Sequence, residues 1–325
     1  MKLGRRQFLR LAAGTVALPM VSRIVRAQAY PMRPVRWIVP FPPGGPTDTV
    51  ARPMAQCLSE RLGQPFVVDN RPGAGTNVGT EAVVRAPADG HTLLAMAPSS
   101  AINATLYDKL NFIVVRDIAP VATITRQAQV MVVNPSFPAR TVPKFIAYAK
   151  ANPGEINMAS AGTGTAQHLA GELFKMMTGI NMVHVPYRGG APATTDLIAG
   201  QVQVMFTSPL GLLDYVRAGK LRALAVTTAT RLEALPDVPP IGDFVPGFET
   251  TTWFGVGAPI NTPTEIVDKL NKEINAALVD PGMKARISDM GAAPFVSSPA
   301  DFGKLIADET QKWAKVVKFA GLEPE

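Results

Sequence analysis

The segment Pro40-Phe41-Pro42-Pro43-Gly44-Gly45-Pro46-Thr47-Asp48 follows the apolar run Trp37-Ile38-Val39. An apolar run that stops in a rigid Pro/Gly stretch, with Thr-Asp behind it, reads as a strand feeding a tight loop into a helix N-terminus. Such a loop turns backbone N–H groups, backed by the helix dipole, toward whatever sits in front, and anions suit that place. The loop has neither Gly-Lys-Ser/Thr for a nucleotide phosphate nor G-x-G-x-x-G for a dinucleotide. What it offers is a small, stiff, uncharged cradle.

Two more loops of this kind occur. Ser160-Ala161-Gly162-Thr163-Gly164-Thr165 opens a helical stretch bearing His168, and Pro186-Tyr187-Arg188-Gly189-Gly190-Ala191 opens another. In open α/β sheets, ligands sit outside the carboxyl ends of the strands, at such loops. One glycine-rich loop can serve turn geometry alone; three argue for a shared site.

The polar residues nearby each allow two readings. His168 and Glu172 share a helix face at i,i+4, so a local pair is as consistent as a ligand contact. Asp48 is a helix-start acid or a partner for an amine-bearing ligand. Arg188 could clamp a carboxylate bidentately or stay solvated. His184, inside an apolar strand, reads as a hydrogen-bonded core histidine, and Arg71, next to Pro72-Gly73, as a brace for its own turn.

Catalytic motifs are missing. There is no G-x-S-x-G, no H-E-x-x-H and no evident nucleophile–base pairing; Ser160 lacks the context of a nucleophile. Gly73-Ala74-Gly75-Thr76-Asn77-Val78-Gly79 misses the third glycine of a dinucleotide fingerprint by one residue. The rival to a binding protein is therefore an exported α/β enzyme using its cleft with a bound nucleotide cofactor. Cys57 is the only cysteine, so no intramolecular disulfide forms, and its helical spacing with Val50, Met54 and Leu58 makes it a packed thiol. With only His91, His168 and His184 beside it, a Cys/His metal cluster has little to build on, and we expect no metal or cofactor.

These loops need a scaffold of alternating elements. Strand-like runs are Val35–Val39, Phe66–Asp69, Thr92–Met96, Val130–Val133, Ile156–Ser160, Met182–Val185, Val202–Phe206 and Leu221–Thr227. Helix-like runs between them are Thr47–Leu62, Thr76–Arg85, Pro143–Ala151, Thr165–Thr178 and Pro192–Ala199, and Ser99-Ser100 reads as a loop. The alternation predicts parallel sheets with helices on both faces. After Pro259 the pattern turns helical: Pro263–Val279, Met283–Met290 and Pro299–Phe319.

At the N-terminus, Arg5-Arg6-Gln7-Phe8-Leu9-Arg10 precedes a modest apolar stretch and Ala27-Gln28-Ala29. This reads as a Tat-type export signal, residues 1–29, cleaved before Tyr30. The apolar stretch falls short of the ~20 residues a membrane span needs. Six of the 32 Lys and Arg lie before Tyr30 and none of the 25 acids, leaving 26 against 25 afterwards. The basic balance belongs to the signal and does not argue for nucleic acid. The 296 residues from Tyr30 suit two domains.

The chain resembles the tripartite tricarboxylate transporter substrate-binding proteins, the Bug or TctC family. The resemblance runs in order through Ile38–Gly45 with Thr47-Asp48, Asp69–Gly75, Ala88–Leu94, Ser160–Gly164 with His168–Phe174, and His184–Gly189. Leu221–Val226, Leu235–Pro239 and Trp253-Phe254-Gly255 continue it. It implies a periplasmic, type II-like binding protein of two α/β lobes, each a central β-sheet flanked by helices, with the ligand in the interlobe cleft. Lobe 1 would comprise 30–125 and 253–325, and lobe 2 residues 126–252. A small organic carboxylate would be gripped by Phe41, Pro42, Pro43, Gly44, Gly45, Pro46, Thr47 and Asp48, and by Ala161, Gly162, Thr163, Gly164 and Thr165 with His168 nearby. Ser99, Ser100, Arg188, Gly189 and Gly190 would line the rest. The implied partners of this monomer are membrane transporter subunits or a sensor protein, with no nucleic acid and no stable membrane insertion.

Overall fold

The computed structural model describes residues 30–107 and 109–322; the segment read as a signal, 1–29, lies outside the described residues. The chain begins with β1 (Val35–Val39), α1 (Pro46–Leu62), β2 (Phe66–Asn70), α2 (Asn77–Val84), β3 (Thr92–Met96), α3 (Pro98–Leu106), α4 (Val114–Asp117) and β4 (Ile118–Ala128). Its middle adds β5 (Val130–Val133), α5 (Val142–Ala151), β6 (Asn157–Ser160), α6 (Ala166–Thr178), β7 (Val183–Pro186), α7 (Gly190–Ile198), β8 (Val204–Thr207), α8 (Leu213–Arg217) and β9 (Arg222–Val226). Then come β10 (Thr251–Pro259), α9 (Thr264–Val279), α10 (Pro281–Asp289), β11 (Ala293–Pro294) and α11 (Pro299–Ala320).

The strands form two sheets, ordered β11-β4-β10-β3-β1-β2 and β7-β6-β8-β5-β9. Each is mixed rather than purely parallel. In the first, β1 runs parallel to β2 and β3, whereas β10 is antiparallel to β3 and β4. In the second, β6 is parallel to β7 and β8, while β5 is antiparallel to β8 and β9. In the second sheet the odd strand is β5; in the first the reason lies in β4 and β10, which sequence alternation does not predict as strands. One leads the chain from the first sheet toward the second and the other brings it back, so as paired neighbours they must oppose each other. Pro120 in β4 and Gly255 and Gly257 in β10 mask their strand character. A Cβ at Gly255 would sit 2.8 Å from the Ala122 carbonyl oxygen, so that glycine allows close packing of the two strands.

Strand periodicity sends alternate side chains to opposite faces, and helices cover both. In the first sheet, Val35, Trp37 and Val39 pack with Met54 and Leu58 of α1 and Leu270 and Ile274 of α9. Ile38, Leu94 and Met96 pack on the other face with Val83, Ala101 and Phe302. In the second, Met131, Val133 and Phe206 meet Phe145 and Phe174, whereas Val130, Val132 and Met205 meet Ala193 and Leu197. Cys57 packs, half-buried, against the first core. No helix among the described residues is long and apolar enough to cross a membrane.

Candidate functional site

The loop after β1 is held by one buried acid. Asp48 Oδ2 accepts the Gly44 N–H at 3.0 Å and Arg52 Nε at 2.7 Å, while Oδ1 accepts Asn70 Nδ2 at 2.9 Å. Asn70 Nδ2 also donates to the Phe41 carbonyl at 2.9 Å. Burial alone would raise the Asp48 pKa, but the bonds from Arg52, Gly44 and Asn70 outweigh it and hold the carboxyl below its usual range. Gly44 takes φ +79°, a backbone state other residues adopt with strain. Pro46 opens α1, where its missing N–H costs nothing.

The Gly-rich loop after β6 is braced more heavily. The Ala161 N–H donates to Gln167 Oε1 at 2.6 Å, and the Gly164 N–H to His168 Nδ1 at 3.3 Å. Thr165 caps α6: its Oγ1 donates to the Gly162 carbonyl and accepts the His168 N–H. Most of this loop's donors are therefore consumed internally. What faces outward is the first turn of α6, where Ala166 and Gln167 have N–H groups without intrahelical acceptors.

Behind the loop, the His168 and His184 rings stack at 3.6 Å, tilted by 7°. His168 Nε2 lies 3.6 Å from Glu172 Oε1, which Lys175 also meets at 2.9 Å. His184 Nε2 sits 2.7 Å from Ser160 Oγ. Burial, and then the neighbouring His168, push the His184 pKa down to about 3. Ser160 is fully buried and does not line the cleft described next.

Loops of the two sheets meet around a cleft of about 470 Å³, its mouth included. The first sheet contributes Phe41, Gly45, Pro46 and Thr47 at the start of α1, and Ala97, Pro98 and Ser99 at the start of α3. The second contributes Ala161, Thr165, Ala166 and Gln167 at α6, Gly190 at α7, and Ser208 after β8. Gln129, between β4 and β5, and Thr252 and Phe254 on β10 complete it. Four helix N-termini thus open on one cleft, and none of its described lining residues carries a formal charge. Helix dipoles make such a place favourable for an anion without a cation.

The sequence-derived residues divide accordingly. Phe41, Gly45, Pro46, Thr47, Ser99, Ala161, Thr165 and Gly190 line the cleft. Asp48 is buried beneath it as a brace. His168 and Gly164 bond to each other behind the loop, and the Ser100 N–H bonds back to the Ala97 carbonyl. Gly162, Thr163 and Arg188 line a neighbouring opening that shares Phe41 and Ala161 with the cleft, and Gly44 lines another that shares Pro46, Gly190 and Ser208 with it. Pro43 is exposed; Pro42 packs where a Cβ on Gly189 would have to go. Ser99 and Ser100 lie not in a loop but in the first turn of α3, because Pro98 at the first helical position presets the helix. Ala97, Pro98, Gln129, Ala166, Gln167, Ser208, Thr252 and Phe254 were missed. The strand-end rule, applied to the run ending at Phe206, would have found Ser208.

Comparison with known proteins follows the same outline. The family described as Tripartite tricarboxylate transporter family receptor matches residues 50–322. Protein BugT of Bordetella pertussis is 38% identical over 309 residues, 94% of this chain and 95% of its own. Rpa4515 of R. palustris, solved with adipate, superposes with TM-score 0.89 at 39% identity, covering 91% of this chain and all of that one. MatC from Rhodopseudomonas palustris, solved with bound malate, gives TM-score 0.84 at 32% identity over 89% of this chain and all of its own.

Proposed function

Because the chain belongs to the tripartite tricarboxylate transporter receptor family, we propose that it is an extracytoplasmic solute-binding protein that captures a small organic carboxylate by closing two lobes on it. The observation that carries this reading is the convergence of α1, α3, α6 and α7 N-termini on a cleft whose described lining residues include no charged side chain. Adipate and malate in two similar proteins support the ligand class. The lobes are 30–125 with 253–325, and 126–252, joined through the paired strands β4 and β10. The grip comes chiefly from first-turn N–H groups of those helices and from the hydroxyls of Thr47 and Ser99. The protein acts as a periplasmic monomer, exported by the signal in residues 1–29, and passes its ligand to a tripartite tricarboxylate-type membrane transporter or to a sensor.

The test is a thermal-shift panel on protein partially unfolded and refolded to strip endogenous ligand. A ligand at a hundred times its dissociation constant adds ~2.7 kcal/mol, which raises Tm by roughly 4–10 °C for domains of this size. At least one mono-, di- or tricarboxylate should do so. Shifts with sugars or amines and with no carboxylate would overturn the reading.

A further inference from the structure

The wall of the cleft that strands supply differs in kind from the walls that helix ends supply. Gln129 is 1% exposed, and its main chain is fixed in both directions: its N–H donates to Thr227 Oγ1 at 2.8 Å and its carbonyl accepts the Thr227 N–H at 2.9 Å. Its side-chain Oε1 is nonetheless buried with no hydrogen-bond partner. A buried amide oxygen left unpaired costs about 1–3 kcal/mol, so its persistence at the edge of a cleft points to a group that arrives there. Ser208, 3% exposed, stands on the same cleft. Its Oγ accepts from Gln127 Nε2 and from the Leu210 N–H at 3.2 Å. Both lone pairs being used, the hydroxyl hydrogen is left to donate.

This wall therefore presents a neutral amide, whose buried oxygen lacks a donor and whose NH2 can itself donate, beside one neutral hydroxyl donor. We propose that Gln129 and Ser208 recognise an uncharged hydrogen-bonding group, a hydroxyl or a carboxamide, at the end of the ligand remote from its carboxylate. The proposal rests on the carboxylate reading above and adds the chemistry of the ligand's far end. A hydroxyl or carboxamide donates to Gln129 Oε1 and accepts from Ser208. A methyl end leaves both unpaired, and a site built for such a pair rejects the analogue lacking it. A second carboxylate carries no hydrogen for Gln129 Oε1 and leaves that buried oxygen unpaired.

Titration calorimetry on two matched series separates these ends. The shorter is pentanoate, 4-hydroxybutanoate, succinamate and succinate; the longer is heptanoate, 6-hydroxyhexanoate, adipamate and adipate. In one series the hydroxyl- or amide-ended member should bind at least about ten-fold tighter than the methyl- and carboxylate-ended ones. Gln129→Met should shrink that preference to under about three-fold while changing the affinity for the methyl-ended acid little. Ser208→Ala, a smaller change, should also reduce the preference and keeps the test open should Gln129→Met misfold. A dicarboxylate binding tightest, or a preference untouched in either folded variant, overturns the proposal while leaving the carboxylate reading intact. Absence of any carboxylate binding overturns both.

Discussion

Asp48 Oδ2 accepts the Gly44 N–H at 3.0 Å, so the acid that follows the Pro/Gly loop holds the turn of that loop. Asp48 is 3% exposed, and Arg52 and Asn70 share its oxygens. The motif residues Gly44, Asp48 and Asn70 form one brace that holds the loop after β1. Asp48→Ala should lower the free energy of unfolding by about 1–3 kcal/mol, because it leaves polar partners unsatisfied. Asn70→Ala should cost less, and the double variant less than the sum, since both belong to one network. Urea titration at pH 7 measures all three. Additive costs would mean that the brace does not act as a unit.

The sequence made the loops legible because their glycines and prolines leave few backbone options, and it made α1, α6, the strands β1 to β3 and those of the second sheet legible through periodicity, but not β4, β10 and β11. It did not disclose Gln129, because a glutamine between two apolar runs carries no periodic signal; only the pairing of β4 and β5 with different sheets puts it at a cleft. Nor did it show that His168 turns inward. The i,i+4 spacing with Glu172 suits either a ligand contact or a local pair; in the fold the ring stacks on His184 with Nε2 3.6 Å from Glu172 Oε1. Ser208 was legible in principle, as the residue just past a strand end.

His184 gives the fold an acid-side dependence. Its folded-state pKa, about 3, lies below the ordinary 6.5, so the native state binds fewer protons than the unfolded one between those values. Stability is therefore fully present above pH 6.5 and is lost as pH falls toward 3, by at most about 1.4 kcal/mol per pH unit for this proton. His184→Gln should flatten the stability profile between pH 4 and 6.5. Parallel profiles for the two proteins would show that His184 is not the group that titrates.

Thr165 joins cap and cleft. Its Oγ1 donates to the Gly162 carbonyl at 2.8 Å and accepts the His168 N–H at 3.4 Å while the residue lines the cleft. Thr165→Ala should cost about 0.5–2 kcal/mol of stability as a lost N-cap. If backbone donors carry much of the grip, as proposed above, carboxylate binding should weaken by no more than about 0.5–3 kcal/mol. Thr165→Ser should restore both. Complete loss of binding in a stably folded Thr165→Ala protein would transfer the grip from backbone to hydroxyl.

Gly189 tests whether the loops must meet. It adopts φ +139°, and a Cβ there would collide with the ring of Pro42, which belongs to the loop of the other sheet. Gly189→Ala should therefore hold the two loops apart, weakening carboxylate binding by about ten-fold or more, equivalent to ~1.4 kcal/mol. Backbone strain accompanies the change, and Gly179→Ala is the control for it. Gly179 also has positive φ, +66°, as the left-handed cap of α6, but no atom lies within 4 Å of its added Cβ. That variant should lose roughly 1 kcal/mol of stability and keep its affinity. Small-angle scattering should show ligand compacting the parent and Gly179→Ala proteins but not Gly189→Ala. Undiminished affinity and compaction in Gly189→Ala would mean that the contact between Gly189 and Pro42 is a consequence of packing and not a condition for holding the ligand.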